Sequence, residues 1–189
     1  MSEAQEIIRR ILRVNHAGEH GAVAIYSAQL ARAKHAYPDL SPWLAETLNH
    51  EKEHRQRFFE AMPSRKAKPC RALSVWSIGG KLLGSFTALF GRSGIYICTA
   101  AVERTVHQHL EEQSEFLRRI DTPLAAIVND IRAQEIEHLT YAEDRHNSTS
   151  LNARLLSAVI GAATECLILV STRGDSFRLR STLRNIQSS

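Results

Sequence analysis

The sequence predicts an all-α protein, a four-helix bundle made of two similar halves. Three observations carry that expectation. Apolar residues recur at helical spacing over long segments, and none sustains the period-two alternation of a strand. Five prolines, 6% aromatic residues and long stretches rich in Ala, Leu, Glu, Arg and Gln favour helix throughout. One pattern of acidic and imidazole side chains also occurs twice with the same internal distance. At 189 residues the chain can bury one sizeable core and is too short for two. We therefore expect one helical domain over residues 1–172 and a basic, disordered tail over 173–189.

The first helix is expected from Glu3 to His35, where Ile7, Ile8, Ile11, Leu12, Val14, Val23, Ile25, Tyr26 and Leu30 recur on one face. Gly18 and Gly21 flank Glu19. Glycine inside a helix costs about 1 kcal/mol relative to alanine, so a close backbone approach, a local widening or a break between two shorter helices is expected there. Tyr37-Pro38-Asp39-Leu40-Ser41-Pro42 reads as a turn with Ser41 as N-cap and Pro42 at the first helical position, opening a helix to Ala61. Pro63 to Arg71 is a basic linker.

Leu73 to Val102 is apolar, rich in glycine and charged only at Lys81 and Arg92. Its uncharged runs fall well short of the ~20 residues that span a bilayer. Two readings stand: a segment lying in a membrane interface with Trp76 and Tyr96 at headgroup level and Lys81 and Arg92 snorkelling, or a buried connecting hairpin. A third bundle helix follows to Ile120, and the turn Asp121-Thr122-Pro123 leads into a fourth. After the polar break Asn147-Ser148-Thr149-Ser150, the apolar run Leu151–Val170 is either a core helix or more membrane-facing surface.

The chemistry lies in two four-residue words, Glu51-Lys52-Glu53-His54 and Glu135-Ile136-Glu137-His138. Residues i and i+3 share a helix face, so each word presents one carboxylate and one imidazole to a common point. One such word is weak evidence. Glu19, however, precedes Glu51 by 32 residues, Glu103 precedes Glu135 by 32, and the two patterns are offset by 84. One Glu from each of two helices and one Glu-x-x-His from each of two others is the ligand set of a dinuclear site in a four-helix bundle. Four carboxylates offset the charge of two divalent cations; without them, four buried carboxylates could not all stay ionised. The two histidines suit iron or manganese better than magnesium or calcium. Tyr26, seven residues after Glu19, and His107, one turn after Glu103, can point to the same interior. Asp144, six residues after His138, falls off that ligand face and is expected to orient a histidine on a neighbouring helix.

Charge leaves the partner open: a net charge of +4 suits anionic lipid as well as nucleic acid. A nucleic-acid binder has no need of six inward-facing ligands. Cys70, Cys98 and Cys166 are far apart, odd in number and without a CxxC, so neither a disulfide framework nor a zinc ribbon is indicated. The acidic start Met1-Ser2-Glu3-Ala4-Gln5-Glu6 has the character of neither a secretory signal nor a transit peptide.

With Arg13-Val14-Asn15-His16-Ala17-Gly18-Glu19, the words at Glu51/His54 and Glu135/His138, and Ala101-Val102-Glu103 with His109 downstream, the sequence resembles the demethoxyubiquinone hydroxylases, a ubiquinone-biosynthetic branch of the ferritin-like carboxylate di-iron proteins. The resemblance runs from Ile7 to Arg173 and includes the apolar insert. It makes two departures within the bundle, at Asn15, where an Asp is usual, and at Leu110, where a Tyr often follows the His, and the tail past Arg173 has no counterpart in the family. It implies a ferritin-like bundle in which Glu19, Glu51, His54, Glu103, Glu135 and His138 hold two Fe, with Tyr26, His109 and Asp144 near the site. The implied chemistry is O2-dependent monooxygenation of a demethoxyubiquinol ring, with NADH or the quinol as electron source. The implied partners are a polyprenyl quinone, the membrane surface and accessory ubiquinone-biosynthesis proteins, with no nucleic acid, at the cytoplasmic face of the inner membrane. A ferritin-like iron-handling or ferroxidase bundle is the alternative. It would have little use for the apolar stretch Leu82–Phe90.

Overall fold

The computed structural model describes residues 3–146 and 151–171, together with Ser181. The polar break at 147–150 and nearly all of the expected tail lie outside the described residues. Among the described residues six α-helices follow in order: α1 Glu3–Ala36, α2 Ser41–Glu60, α3 Leu73–Leu89, α4 Gly91–Ile120, α5 Thr122–Arg145 and α6 Leu151–Ser171. No strand occurs among the described residues.

The internal repeat extends further than the sequence pattern indicated. Helices α1 and α2 pair, as do α4 and α5, and each pair is followed by an apolar helix that returns onto the first member: α3 lies along α1, and α6 along α4. The bundle proper is α1, α2, α4 and α5. Across its centre, α2 and α5 run antiparallel: Trp43 stacks on Tyr141 with centroids 4.5 Å apart at one end, and Arg57 pairs with Asp130 at 2.8 Å near the other. One apolar cluster, containing Ile11, Leu12, Phe58, Leu117, Leu124 and Ile131, fills one end of the bundle. A second, containing Tyr26, Leu44, Leu48, Ile95 and Tyr96, fills the other. The two clusters leave a buried middle layer between them.

The apolar stretch Leu73–Val102 is not one interfacial segment. Gly91, with φ of +76°, turns the chain sharply between α3 and α4 in a conformation that a side chain disfavours, so its second part becomes the opening turns of a bundle helix. Tyr96 is accordingly buried against Trp43 rather than placed at a surface. Trp76 is buried too, its indole lying over the Cα of Gly21, where a Cβ would come within 2.6 Å. Arg92 does not snorkel; it grips Asp39 through two bonds of 2.5 and 2.6 Å. Lys81 is exposed.

Close approach, among the readings open for the glycines of α1, is what occurs at Gly21. α1 is unbroken, and α3 packs on it so tightly that a Cβ on Gly80 would stand 2.5 Å from the Gly21 carbonyl oxygen. One on Gly84 would stand 2.4 Å from that of Ile25. Ser41 is the first residue of α2 and not its cap, because a 3-10 turn over Pro38–Leu40 runs straight into the helix. Asp121 caps α5 by accepting from the Leu124 backbone N–H at 3.1 Å, and it receives Arg65 through bonds of 2.6 and 2.8 Å, which fastens the linker to the α4–α5 turn.

The outer faces of α3 and α6 are apolar. Ile78, Leu82, Phe86 and Leu89 recur at helical spacing on α3, 52–70% exposed, and Leu151, Leu155 and Val159 do so on α6, 56–79% exposed. No helix among the described residues is long and apolar enough to cross a membrane.

Candidate metal centre

Glu19 on α1, Glu51 and His54 on α2, Glu103 on α4, and Glu135 and His138 on α5 meet at mid-bundle between the two apolar clusters, each no more than 4% exposed. Their ligand-type atoms form two sets, each with all atoms within 4.8 Å of one another: Glu19, Glu51, His54 and Glu135, and then Glu51, Glu103, Glu135 and His138. Glu51 and Glu135 belong to both. Two neighbouring cations could therefore be held by a shared pair of carboxylates, with one further Glu and one His each.

The electrostatics show how unfavourable this cluster is on its own. Burial, followed by the charges of Glu51 and Glu135, pushes the carboxyls of Glu19 and Glu103 well above the ordinary range. Burial would do the same to Glu135, but the imidazoles of His138 and His54 set against it outweigh burial and hold that carboxyl low. Burial opposes the charging of His138, yet its bonds to Glu135 and Glu51 push it up to about 10. Its Nδ1 lies 3.1 Å from Glu135 Oε2 and 3.5 Å from Glu51 Oε1. Protons on two carboxyls and on a histidine thus hold the cluster near neutrality when no cation is bound.

The donor set also fits a metal. Glu51 Oε1, Glu135 Oε1 and His54 Nδ1 are buried without a hydrogen-bond partner, although His54 Nδ1 and Glu135 Oε1 approach to 3.0 Å. That approach lacks hydrogen-bond alignment. Each unsatisfied buried polar atom costs about 1–3 kcal/mol, and three in one cluster are what a cation would satisfy.

Around these six the other expected residues divide. The Tyr26 hydroxyl, buried, donates to Glu103 Oε1. Burial and the Glu103 charge raise its pKa, so it stays a donor. His109 stands away from the cluster: its Nε2 lies 3.2 Å from Glu165 Oε1, tying α4 to α6. His107 is half-buried on α4. Asp144 is exposed on α5 and orients no histidine, because six residues of a helix with about 3.6 per turn carry it to the far face. The histidines are instead held by Gln134, whose Oε1 accepts from His54 Nε2 at 2.7 Å, and by His50, whose Nδ1 lies 3.0 Å from His138 Nε2. Sequence reasoning missed both. The repeat carried the signal, since each immediately precedes the Glu of its word. Of the two departures, Asn15 exchanges two amide bonds with Gln113, at 2.7 and 3.1 Å, and Leu110 packs in an apolar cluster.

A cavity of about 430 Å³ opens between α1, α3, α4 and α6. Gly18 and Val102, the chain neighbours of Glu19 and Glu103, line it, and its other walls include Ile25, Trp76, Leu83 and Leu167. It lies against the two helices with exposed apolar faces, and none of the six ligand-type residues is part of its lining.

The family model described as ubiquinone biosynthesis protein COQ7 matches residues 6–171. The chain belongs to the COQ7 family. The match takes in the whole bundle and both apolar helices, so this COQ7-family chain carries its entire candidate centre inside it. Similar proteins include the 3-demethoxyubiquinol 3-hydroxylase of Rhodospirillum rubrum, 34% identical over 169 residues that cover 88% of this chain and 78% of that one. The mitochondrial NADPH-dependent 3-demethoxyubiquinone 3-hydroxylase of Mus musculus is 31% identical over 170 residues, covering 88% and 77%. The mitochondrial 5-demethoxyubiquinone hydroxylase of Saccharomyces cerevisiae is 31% identical over 158 residues, covering 75% and 68%.

Proposed function

We propose that this COQ7-family enzyme hydroxylates the ring of a demethoxyubiquinol at a di-iron centre held by Glu19, Glu51, His54, Glu103, Glu135 and His138. The observation that carries the reading is the pair of four-ligand sets sharing Glu51 and Glu135; their other carboxylates, Glu19 and Glu103, sit on helices α1 and α4, which also wall an apolar cavity through Gly18 and Val102. The reaction inserts one atom of O2 into a ring C–H bond and releases the other as water, with two electrons and two protons from a reductant. The name of the Mus musculus relative, an NADPH-dependent hydroxylase, favours a reduced nicotinamide, where the resemblance implied NADH or the quinol itself. The iron pair, when bound, supplies the electrons that reduce O2 and the Lewis acidity that orients it.

The chain's own residues do the rest. The two apolar clusters keep water from the centre, which strengthens every charge interaction inside it. Tyr26 holds Glu103 by its hydroxyl and fixes one carboxylate of the centre. Trp76, Ile25 and Leu83 offer an apolar wall to a quinol ring and the start of its prenyl tail. The exposed faces of α3 and α6 would seat the enzyme peripherally, at the cytoplasmic face of the inner membrane, so that the tail stays in lipid while the ring enters between the helices. We extend the proposal to the organisation of the chain, one domain over 1–172 followed by a tail, and to accessory ubiquinone-biosynthesis proteins as partners.

The test is turnover under 18O2 with ferrous-loaded protein in quinol-containing vesicles, read by mass spectrometry. One labelled oxygen in the product supports the reading. Iron oxidation without hydroxylated product would move the assignment to a ferroxidase.

A further inference from the structure

The ligand words are laced across the bundle. His54 of α2 is held by Gln134 of α5, and His138 of α5 by His50 of α2. Gln134 directly precedes Glu135, and His50 directly precedes Glu51, so the two bonds are equivalent under the internal repeat, whose offset of 84 also relates positions 50 and 134. Each word thus supplies a carboxylate, a histidine, and a residue that orients the histidine of the opposite word. The repeat is broken at that third part alone: one half carries an amide where the other carries an imidazole.

The chemistry of the two straps differs. Gln134 Oε1 can only accept, so His54 Nε2 carries its proton and His54 Nδ1 keeps its lone pair toward Glu19, Glu51 and Glu135, where it has no hydrogen-bond partner. With His138 Nδ1 facing Glu51, Glu103 and Glu135, His138 Nε2 donates to His50 Nδ1, and the two rings stack with centroids 5.3 Å apart and 16° between planes. An imidazole nitrogen is a stronger acceptor than an amide oxygen, and a stronger acceptor behind a ligating histidine makes it a more basic ligand. We propose that His50 and Gln134 are positioning residues for the two metal-facing histidines, and that the difference between them makes the metal position served by His138 the tighter of two unequal positions. This rests on the metal reading above.

The test is anaerobic titration of the metal-free full chain with Co(II), followed by visible ligand-field bands, and Mössbauer spectra of the 57Fe(II)-loaded protein. Wild type should bind in two resolved steps and show two quadrupole doublets. His50→Ala should weaken the tighter step by about 10–100-fold, the usual effect of losing such a partner, and leave the other step in place. Gln134→Ala should weaken the looser step alone. His50→Gln should restore binding and draw the doublets together, and the exchange His50→Gln with Gln134→His should transfer the tighter step to the His54 position. A merely structural role would lower melting temperature and affect both steps alike. Two metals bound with equal affinity in wild type, or His50→Ala that folds normally with both steps unchanged, would overturn the proposal and leave the metal site standing. A wild-type chain that binds no metal would instead sink the metal reading and this one with it.

Discussion

Raising the pH should unfold the metal-free protein in a measurable way, because its buried cluster holds protons that the unfolded chain gives up. His138 has its pKa raised from 6.5 to about 10 in the fold. A histidine so raised stabilises the fold fully below pH 6.5 and loses that contribution as pH climbs toward 10. Glu19 and Glu103 shift the same way: their raised pKa values favour the fold at low pH and disfavour it once the medium would ionise them. Glu135, held low, acts only below its unfolded value of 4.5. His16, lowered to about 4 by burial, acts only below 6.5. Between pH 7 and 9 the cluster groups therefore act with one sign. Proton linkage gives about 1.4 kcal/mol per pH step for one such group, so His138 alone removes about 3 kcal/mol over that interval. For a chain of this size that is roughly 6–12 °C of melting temperature. The assay is calorimetry of chelator-treated protein at pH 7, 8 and 9, with ferrous- or cobalt-loaded protein in parallel. Cations replace those protons, so the loaded form should lose most of the slope. A metal-free melting temperature that is flat or rising from pH 7 to 9 would refute the electrostatic description of the cluster.

Three further outcomes are expected. Tyr26→Phe removes the hydroxyl that donates to Glu103; hydroxylation should fall, and the unsatisfied carboxyl oxygen should lower metal-free stability by about 1–3 kcal/mol, read by denaturant titration. Leu82→Glu with Phe86→Glu places two charges where side chains are 66% and 52% exposed; recovery with floated vesicles should drop by about tenfold or more while the soluble fold and metal content stay as in wild type, and unchanged flotation would remove α3 from the proposed membrane contact. Asp121→Ala deletes both the α5 cap and the Arg65 partner; it should cost about 2 kcal/mol in thermal unfolding without altering metal stoichiometry.

The fold class, the four bundle helices and the meeting of six ligand-type residues could all be read from the chain, because a helix fixes which residues share a face and the repeat removed the ambiguity of a single Glu-x-x-His. What escaped depends on contacts between helices. The division of the apolar stretch hinges on Gly91 adopting a positive φ, which composition does not reveal. The burial of Trp76 follows from the absence of a side chain at Gly21, on a helix far away in sequence. Asp144 was read as orienting a histidine on a neighbouring helix because its spacing turns it off the ligand face, but that same turn leaves it exposed. His50 and Gln134 were passed over because each sits beside a stronger signal, and only the pairing of α2 with α5 brings them to the rings they hold.

The most direct measurement is iron per chain after anaerobic loading and desalting, in wild type and in four single variants. Two irons should remain in wild type, one in Glu19→Gln or Glu103→Gln, and none in Glu51→Gln or Glu135→Gln, because those two carboxylates belong to both ligand sets. A wild-type chain that retains no transition metal, or a Glu51→Gln chain that still retains two, would contradict the shared-carboxylate centre on which the functional reading depends.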